Sequence, residues 1–587
     1  MRVRLRGPTY DDGVASTGEH TSPLDPVQEA ASAGHAPQGA PAGSTETAEV
    51  APSPRHAVAG PATTWLASLV PPHGSAADRR LALPLTALVG ALAAALRLPG
   101  LDRPGVLVFD ETYYVKDAWS LVSLGYEGEW PDGADAAFEA GDVDGFDERG
   151  SYVVHPPVGK LLIGAGMRLV GAGTPIGWRL ATAVAGVVAV LVLVRVGRRL
   201  LRSTWAGAAA ALLLAVDGSA IAHSRTALLD GLLMTLLLGA FAALVADRDA
   251  AAALLARRTG PPRAPTTLGP GLGVRPWRLV AGLLLGLAVG TKWSALFFVA
   301  ALGLLSVGWD ALARRRAGVR SWWAGALVRD APVAFASLVG LAAVVYVASW
   351  TGWLRTTGGY GRTWAGDHPG EGVTWLPEGL RSLWKYHQDM WGFHTGLTAE
   401  HPYAAHPAGW LLQLRPTTFF YESPEPAQQW CAADRCSQTV TSLGNPVLWW
   451  LAAAAVLVCA WWVVRRRDEV ALAALAGIAA GWLPWFAYAH RTIFTFYAVV
   501  VLPWLVLCLV HVAREATRAR GPADGPLGAR TAHVTHADAD PPLVRRAVVV
   551  GLLVVVLGVS AWFLPLWTGQ VVPFRFWQLH MWLPGWV

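Results

Sequence analysis

The sequence predicts an all-α polytopic membrane protein, and three observations predict it. Charged residues make up 15% of the chain and hydrophobic residues 53%, whereas soluble domains carry about 25% charged residues. Apolar stretches near the length that crosses a bilayer, about 20 residues, recur from residue 81 to residue 566. Arginine clusters follow alternate stretches, a pattern produced by the positive-inside rule.

In chain order, residues 1–75 are rich in Ala, Gly, Pro, Ser and Thr, lack apolar periodicity and read as a disordered cytoplasmic tail. No cleavable signal-peptide pattern opens the chain, so the first span is expected to act as an uncleaved anchor. Spans are expected near 81–98, 177–196, 203–217, 226–246, 278–291, 294–309, 332–350, 447–464, 469–488, 493–513 and 546–566. Eleven spans put the termini on opposite sides. Arg79 and Arg80 precede the first span, and Arg195, Arg198, Arg199 and Arg202 follow the second. Arg257, Arg258 and Arg263 follow the fourth, Arg314 to Arg316 the sixth, Arg465 to Arg467 the eighth, and Arg514, Arg518 and Arg520 the tenth. All fall on one side if the N-terminus is cytoplasmic and the C-terminus exterior. The net charge of +6 is therefore a matter of topology and does not imply a nucleic-acid partner.

This organisation gives an N-terminal membrane module, 76–350, with a first exterior loop at 99–176. A second exterior loop spans 351–446, and a C-terminal membrane module covers 447–587. Cys431 and Cys436, spaced CAADRC in the second loop, are on the side where disulfides persist; a local bridge or two free thiols are both open. Cys459 and Cys508 fall inside predicted spans and read as packing residues.

The unusual polar residues gather on the exterior side. Asp110 and Glu111 stand in FDETYYVKDAWS, just past the first span, and HPPVGK (155–160) follows in the same loop. Arg179 stands at the exterior end of the second span, Asp217, His223 and Arg225 at the next exterior turn, and Lys292 in GTKW at the turn after that. HTGLTAEHPY (394–403) and LRPTTFFYES (414–423) lie in the second loop, and Arg491 precedes the tenth span. The chain has only four lysines, Lys116, Lys160, Lys292 and Lys385. All are exterior, although most basic residues are cytoplasmic, which marks Lys160 and Lys292 as site candidates. Each feature has a plainer reading: a solvated acid pair, a rigid His-Pro-Pro turn, an arginine snorkelling to the headgroups. Together they form a set in which a carboxylate can act as a general base and cations can hold a phosphate.

These motifs resemble those of the protein O-mannosyltransferases, polytopic glycosyltransferases of the GT-C class in glycosyltransferase family 39. The resemblance spans about residues 80–587 and rests on Asp110–Glu111, HPPVGK, Lys292, and His394, His401 and Tyr403 with the Arg-Pro that follows. It implies a GT-C fold and a polyprenyl-phosphate-mannose donor. It also implies Ser/Thr hydroxyl acceptors on secreted or translocating polypeptides, and an inverting single displacement at the exterior face of the plasma membrane. Asp110 would be the base and Glu111 would orient the acceptor or tune Asp110. Arg179 and Lys292, with Arg225 as a weaker candidate, would face the leaving phosphate. His155 and Lys160 would shape the loop or line the donor pocket, and His394, His401 and Tyr403 would order the second loop. The bilayer and the lipid-linked donor are the expected partners, with the protein translocon a candidate. No metal-ligand spacing appears and no cofactor is expected. The second loop is too short for the MIR domain of eukaryotic members, which suggests the bacterial form. The acidic stretch 130–150 reads as a solvated insertion, and RTIFTFY (491–497) matches the family's Arg-plus-aromatic pattern only in part. Two other classes are a GT-C transferase with a lipid or glycan acceptor and a non-enzymatic transporter. The HPPVGK and HPY elements, and charges crowded on one face, argue against them.

Overall fold

The computed structural model describes residues 76–259, 267–426, 431, 433–518 and 542–587; the expected tail, 1–75, with Arg263 and Arg520, lies outside them. The principal helices are α1 (Ala76–Arg97), α2 (Glu111–Leu124), α3 (Val158–Val170), α4 (Pro175–Leu201), α5 (Thr204–Val216), α6 (Gly218–Ser224), α7 (Leu229–Thr259) and α8 (Pro276–Val289). They continue with α9 (Ala295–Arg316), α10 (Trp322–Ser349), α11 (Glu378–Gly396), α12 (Pro446–Arg466), α13 (Glu469–Phe486), α14 (Thr495–Thr517) and α15 (Pro542–Trp567). Among the described residues nine helices are long and apolar enough to cross a membrane. The pair α5–α6, bent by 64°, makes a tenth if it is one span. The remaining expected span, 278–291, is the 14-residue apolar helix α8.

Local sequence starts these helices where the chain needs them. Thr174 accepts from the Gly177 amide with Pro175 at the first helical position, Ser203 accepts from Ala206, Asn445 from Leu448, and Asp468 from Val470 and Ala471. Such caps satisfy amides that a helix leaves bare. α7 and α14 are central, each with 78% of its apolar window buried, whereas α1 and α15 are peripheral at 17%. The core joins Phe241, Phe298, Trp449, Trp504 and Trp410 with Ala-rich faces of α4, α5 and α13. At the α5–α6 bend, Asp217 caps α6 and also accepts from the Asn445 amide and the Trp449 indole. A Cβ on Gly218 would sit 1.9 Å from the Trp567 ring, so only glycine fits this bend.

The connections at one end of the bundle carry two small antiparallel sheets, which the all-α expectation did not contain. β1 (Gly128–Glu129) pairs with β2 (Asp147–Gly150). β3 (Thr417–Glu422), β4 (Cys436–Ser442) and β5 (Val571–Pro573) form the other. Cys431 and Cys436 are joined by a disulfide at the start of β4. The acidic stretch 130–150 is a folded brace and not a solvated insertion. Phe138 is buried between Trp130 and Trp178. Asp135 binds Thr112 and Lys116, Asp144 accepts from Trp119, and Glu139 accepts from the Leu107 amide. Asp135 and Asp144 thus contact α2, whose N-cap is Asp110 and whose first residue is Glu111.

Candidate active site

The site is built around the turn that launches α2. The carbonyl of Asp110 accepts the amides of Tyr113 and Tyr114, which starts the helix. Phe109, just before it, takes a left-handed conformation, φ 49°, which costs a bulky side chain about 1–3 kcal/mol and survives only where surroundings enforce it. Phe419, Phe494, Phe496 and His401 surround its ring, with centroids 5.0–6.2 Å apart across the cluster.

The two carboxylates have different fates. Glu111 is fully buried. Its Oε1 accepts from Arg179 Nε at 2.8 Å and the Ala227 amide at 2.6 Å, and its Oε2 from Arg179 Nη2 at 2.7 Å and the Val108 amide at 3.0 Å. With four donors on its two oxygens it has no free position for an acceptor hydroxyl, which removes the first of the two roles expected of it. Asp110 is only partly buried, and its side chain has one described hydrogen bond, from the Tyr114 hydroxyl at 3.4 Å. Burial raises its pKa to about 6; the Lys292 ammonium pulls it down and the Asp230 carboxylate pushes it up.

Arg179 also needs correction. A guanidinium has five N–H groups. Here they bind both Glu111 oxygens and the carbonyls of Leu101, Pro104 and Val106 at 2.7–2.9 Å. Nothing is left for a phosphate. Arg179 instead fastens the loop between α1 and α2, so that Asp110 is held from a membrane helix. Arg225 donates to the carbonyls of Arg97, Pro99 and Gly100 and caps the end of α1, while its Nε is buried without a described partner.

The lysines are counter-charges. Lys116 pairs with Asp135, Lys160 with Glu127, Lys292 with Asp230 and Lys385 with Asp389. Lys160 is buried against Glu127 and shapes the loop; it does not line an open pocket. Lys292 reaches both Asp230 oxygens at 2.9–3.0 Å and lies 4.2 Å from the centre of the Tyr497 ring. It is buried, but it is the strongest charge acting on Asp110. The HPPVGK and GTKW motifs form one contact. The Val158 amide donates to the Gly290 carbonyl at 2.8 Å, and a Cβ on Gly159 would meet Leu229 at 2.6 Å and Thr291 at 3.0 Å.

Burial disfavours the charged form of the site histidines. His155 stacks on His394 with centroids 5.2 Å apart. Burial lowers the pKa of His155 well below its usual value, and the nearby charges of Lys292, His394, Lys160 and Arg491 lower it further. His394 is lowered to about 4, mainly by burial, and its Nε2 lies 2.6 Å from the Val154 carbonyl. His155 Nδ1 is buried with no described partner. His401 accepts the Tyr403 amide at Nδ1 and packs edge-on against Phe494, so it carries the second loop onto the Phe109–Asp110 turn. Tyr403 lies 5.8 Å from the His401 ring and under Arg415.

Sequence reasoning missed two site residues and gave a third too little weight. Asp230, a lone acid in the apolar run ALLDGLLM, carried a signal, because an intramembrane carboxylate demands a partner. Tyr497 closes the RTIFTFY stretch, whose partial match to an Arg-plus-aromatic pattern is its only signal. Arg491 was discounted for its partial motif. It lacks a hydrogen-bond or ion-pair partner among the described residues, its Nε is buried, and its charge acts on both His155 and His394. No cluster of three His, Cys, Asp or Glu able to hold a metal occurs among the described residues.

Residues 172–351 match the family model for dolichyl-phosphate-mannose-protein mannosyltransferase, and residues 379–586 that for the C-terminal four-transmembrane region of protein O-mannosyltransferase. The chain is 35% identical over 531 residues to a polyprenol-phosphate-mannose--protein mannosyltransferase of Mycolicibacterium smegmatis (strain MKD8), covering 88% of this chain and 95% of that one. It is 31% identical over 513 residues to the protein of the same name from Corynebacterium glutamicum, covering 85% and 92%. The fold resembles a chain of the S. cerevisiae Pmt1–Pmt2 complex bound to the sugar donor, with TM-score 0.62, 15% identity, and coverage of 86% and 92%. At 31–35% identity to such relatives, covered almost end to end, the chain belongs to the protein O-mannosyltransferase family.

Proposed function

We propose that this chain transfers mannose from a polyprenyl-phosphate-mannose to Ser or Thr hydroxyls of secreted or translocating polypeptides, by a single inverting displacement. The observation that carries the reading is the contrast within the acid pair: Glu111 is locked by four donors while Asp110 stays open. The relatives' names, with a polyprenol-phosphate-mannose donor and a protein acceptor, support the same assignment.

In this mechanism the acceptor hydroxyl gives its proton to the Asp110 carboxylate as its oxygen bonds the anomeric carbon. The bond from that carbon to the phosphate oxygen breaks, and its electron pair leaves with the lipid phosphate. A lipid phosphate is already a good leaving group, so it needs no general acid. It needs fixed positive charge where negative charge grows. Arg491, which has no counter-ion among the described residues, supplies it, with Lys292 behind it balanced by Asp230. Neutral His155 offers its free Nδ1 to a donor hydroxyl. His394 and His401 hold the second loop against the site and limit hydrolysis of the donor. The residue set suits metal-independent catalysis, and unchanged turnover after EDTA treatment and metal-free dialysis is expected.

The site is assigned to the exterior face of the plasma membrane, supported by the arginine clusters at the opposite helix ends. Ser151→Cys should react with an impermeant thiol reagent in intact cells, and Ala317→Cys only after lysis; the reverse labelling would overturn the orientation. The chemistry is tested with labelled polyprenyl-phosphate-mannose and a Ser/Thr-rich peptide. Asp110→Asn should lower turnover roughly 100-fold or more with donor binding nearly unchanged. Near-normal turnover would remove Asp110 as the base.

A further inference from the structure

A second pocket lies at the other end of the bundle. It is a cavity of about 540 Å³ where the ends of α9 and α12 meet the start of α13. Leu312, Val463 and Leu472 line its apolar part, and Arg315, Arg316 and Arg467 bring positive charge, with Asp468 and Glu469 between them. The two acids are already committed. Asp468 accepts the amides of Val470 and Ala471 through Oδ1 and faces His511 Nε2 through Oδ2 at 2.9 Å. Glu469 pairs with Arg316. Arg315 lies over the Trp322 ring at 5.6 Å. Neither Arg315 nor Arg467 has an acidic partner among the described residues, and both are exposed. The pocket therefore offers two uncompensated guanidinium groups above an apolar floor.

We propose that this pocket binds the headgroup of an anionic phospholipid. Charge selects the phosphate, and guanidinium forks match its oxygens in pairs. The apolar surroundings select a lipid over a free anion. Leu472 is both a lining residue and 41% exposed, and Leu457 and Val464 on α12 are 72% and 79% exposed. Acyl chains leaving the pocket would meet these exposed apolar side chains of α12 and α13. Trp461, 53% exposed beneath Arg466, marks the interfacial level, where tryptophan concentrates in membrane proteins. Basic pockets between helix ends are known headgroup sites as a class. The proposal does not depend on the reaction assigned to the far end.

The test is native mass spectrometry and thermal melting of the full chain in a neutral detergent, with phosphatidylglycerol, phosphatidylcholine or inorganic phosphate added. Wild type should retain phosphatidylglycerol selectively and melt higher in its presence. Arg315→Gln/Arg467→Gln should weaken retention about 25-fold, from roughly a fivefold loss per arginine, and lose the melting shift. Arg202→Gln/Arg257→Gln removes equal charge from exposed sites outside the pocket and should behave as wild type. Equal loss in both double variants would reduce the effect to bulk surface charge and overturn the proposal. Equal retention of phosphatidylcholine would overturn it, and so would displacement by inorganic phosphate at millimolar concentration.

Discussion

Replacing Arg179 by alanine separates two accounts of the same residue. If Arg179 held the donor phosphate, its loss would weaken donor binding and leave the fold intact. The structure requires the opposite. Five hydrogen bonds vanish, two of them to a fully buried carboxylate and three to carbonyls of Leu101, Pro104 and Val106. Removing one partner of a buried ion pair costs about 3–5 kcal/mol, mostly from the charge left behind. Glu111 keeps only the Val108 and Ala227 amides. Arg179→Ala should therefore lower the melting midpoint by several degrees and abolish turnover, because the turn carrying Asp110 loses its anchor. Arg179→Lys should rescue little, since one ammonium cannot span acceptors arranged for a planar fork. Arg179→Ala/Glu111→Gln should recover part of the stability by removing the stranded charge, but no turnover. The assay pairs scanning fluorimetry of the purified protein with labelled-mannose transfer. Arg491→Ala is the comparison: with no partner to strand, it should move stability by no more than about 0.5 kcal/mol while reducing turnover 10- to 150-fold, as expected for one charged hydrogen bond. An Arg179→Ala protein that melts as wild type but fails to bind donor would refute this assignment.

The pH profile should show an acid limb near pH 6, because the base works ionised and Asp110 titrates at about 6; at pH 5 about a tenth of the activity survives. The limb should move up in Lys292→Met and down in Asp230→Asn, since the ammonium lowers and the carboxylate raises the Asp110 pKa; shifts of the same sign would break the link. Cys431→Ser/Cys436→Ser opens a short loop, and the chain-entropy relation gives a loss of about 2 kcal/mol, to be read from melting without reductant. Lys385→Met, at a half-exposed pair with Asp389, should leave turnover within about twofold.

The bundle was legible because membrane spans are written locally, as apolar length and basic ends. Each expected stretch has its helix, including the short α8 and the bent α5–α6 pair, whose Asp-Gly step the sequence displayed without its meaning. The sites of charge were legible too, but their partners were not. Arg179 reads as a cation at a span end until the carbonyls of 101–106 fold over it, and no spacing in the sequence predicts that closure. Lys292 and Asp230 are 62 positions apart, and Lys160 and Glu127 are 33 apart. The count of lysines on one side was informative about place and misleading about role. The acidic stretch failed for a related reason. Composition makes it look solvated, yet Phe138 and the acids that face α2 are specific contacts.

The Arg179 clamp also divides the site mechanically. The Asp110 turn is tied to a membrane helix through directional bonds that cost several kcal/mol to break. Segment 397–405 meets that turn through His401 and the Phe109 cluster, where each aromatic pair contributes only about 0.5–1.5 kcal/mol beyond its buried area and tolerates sliding. That segment is hydrogen-bonded to Thr492 and Ile493 and so carries neighbouring Arg491 with it. One wall of the site is stiff and holds the base. The other is more compliant and carries Arg491, unpaired among the described residues, so under the proposed mechanism the phosphate side would yield to substrates of different girth while the carboxylate keeps its aim.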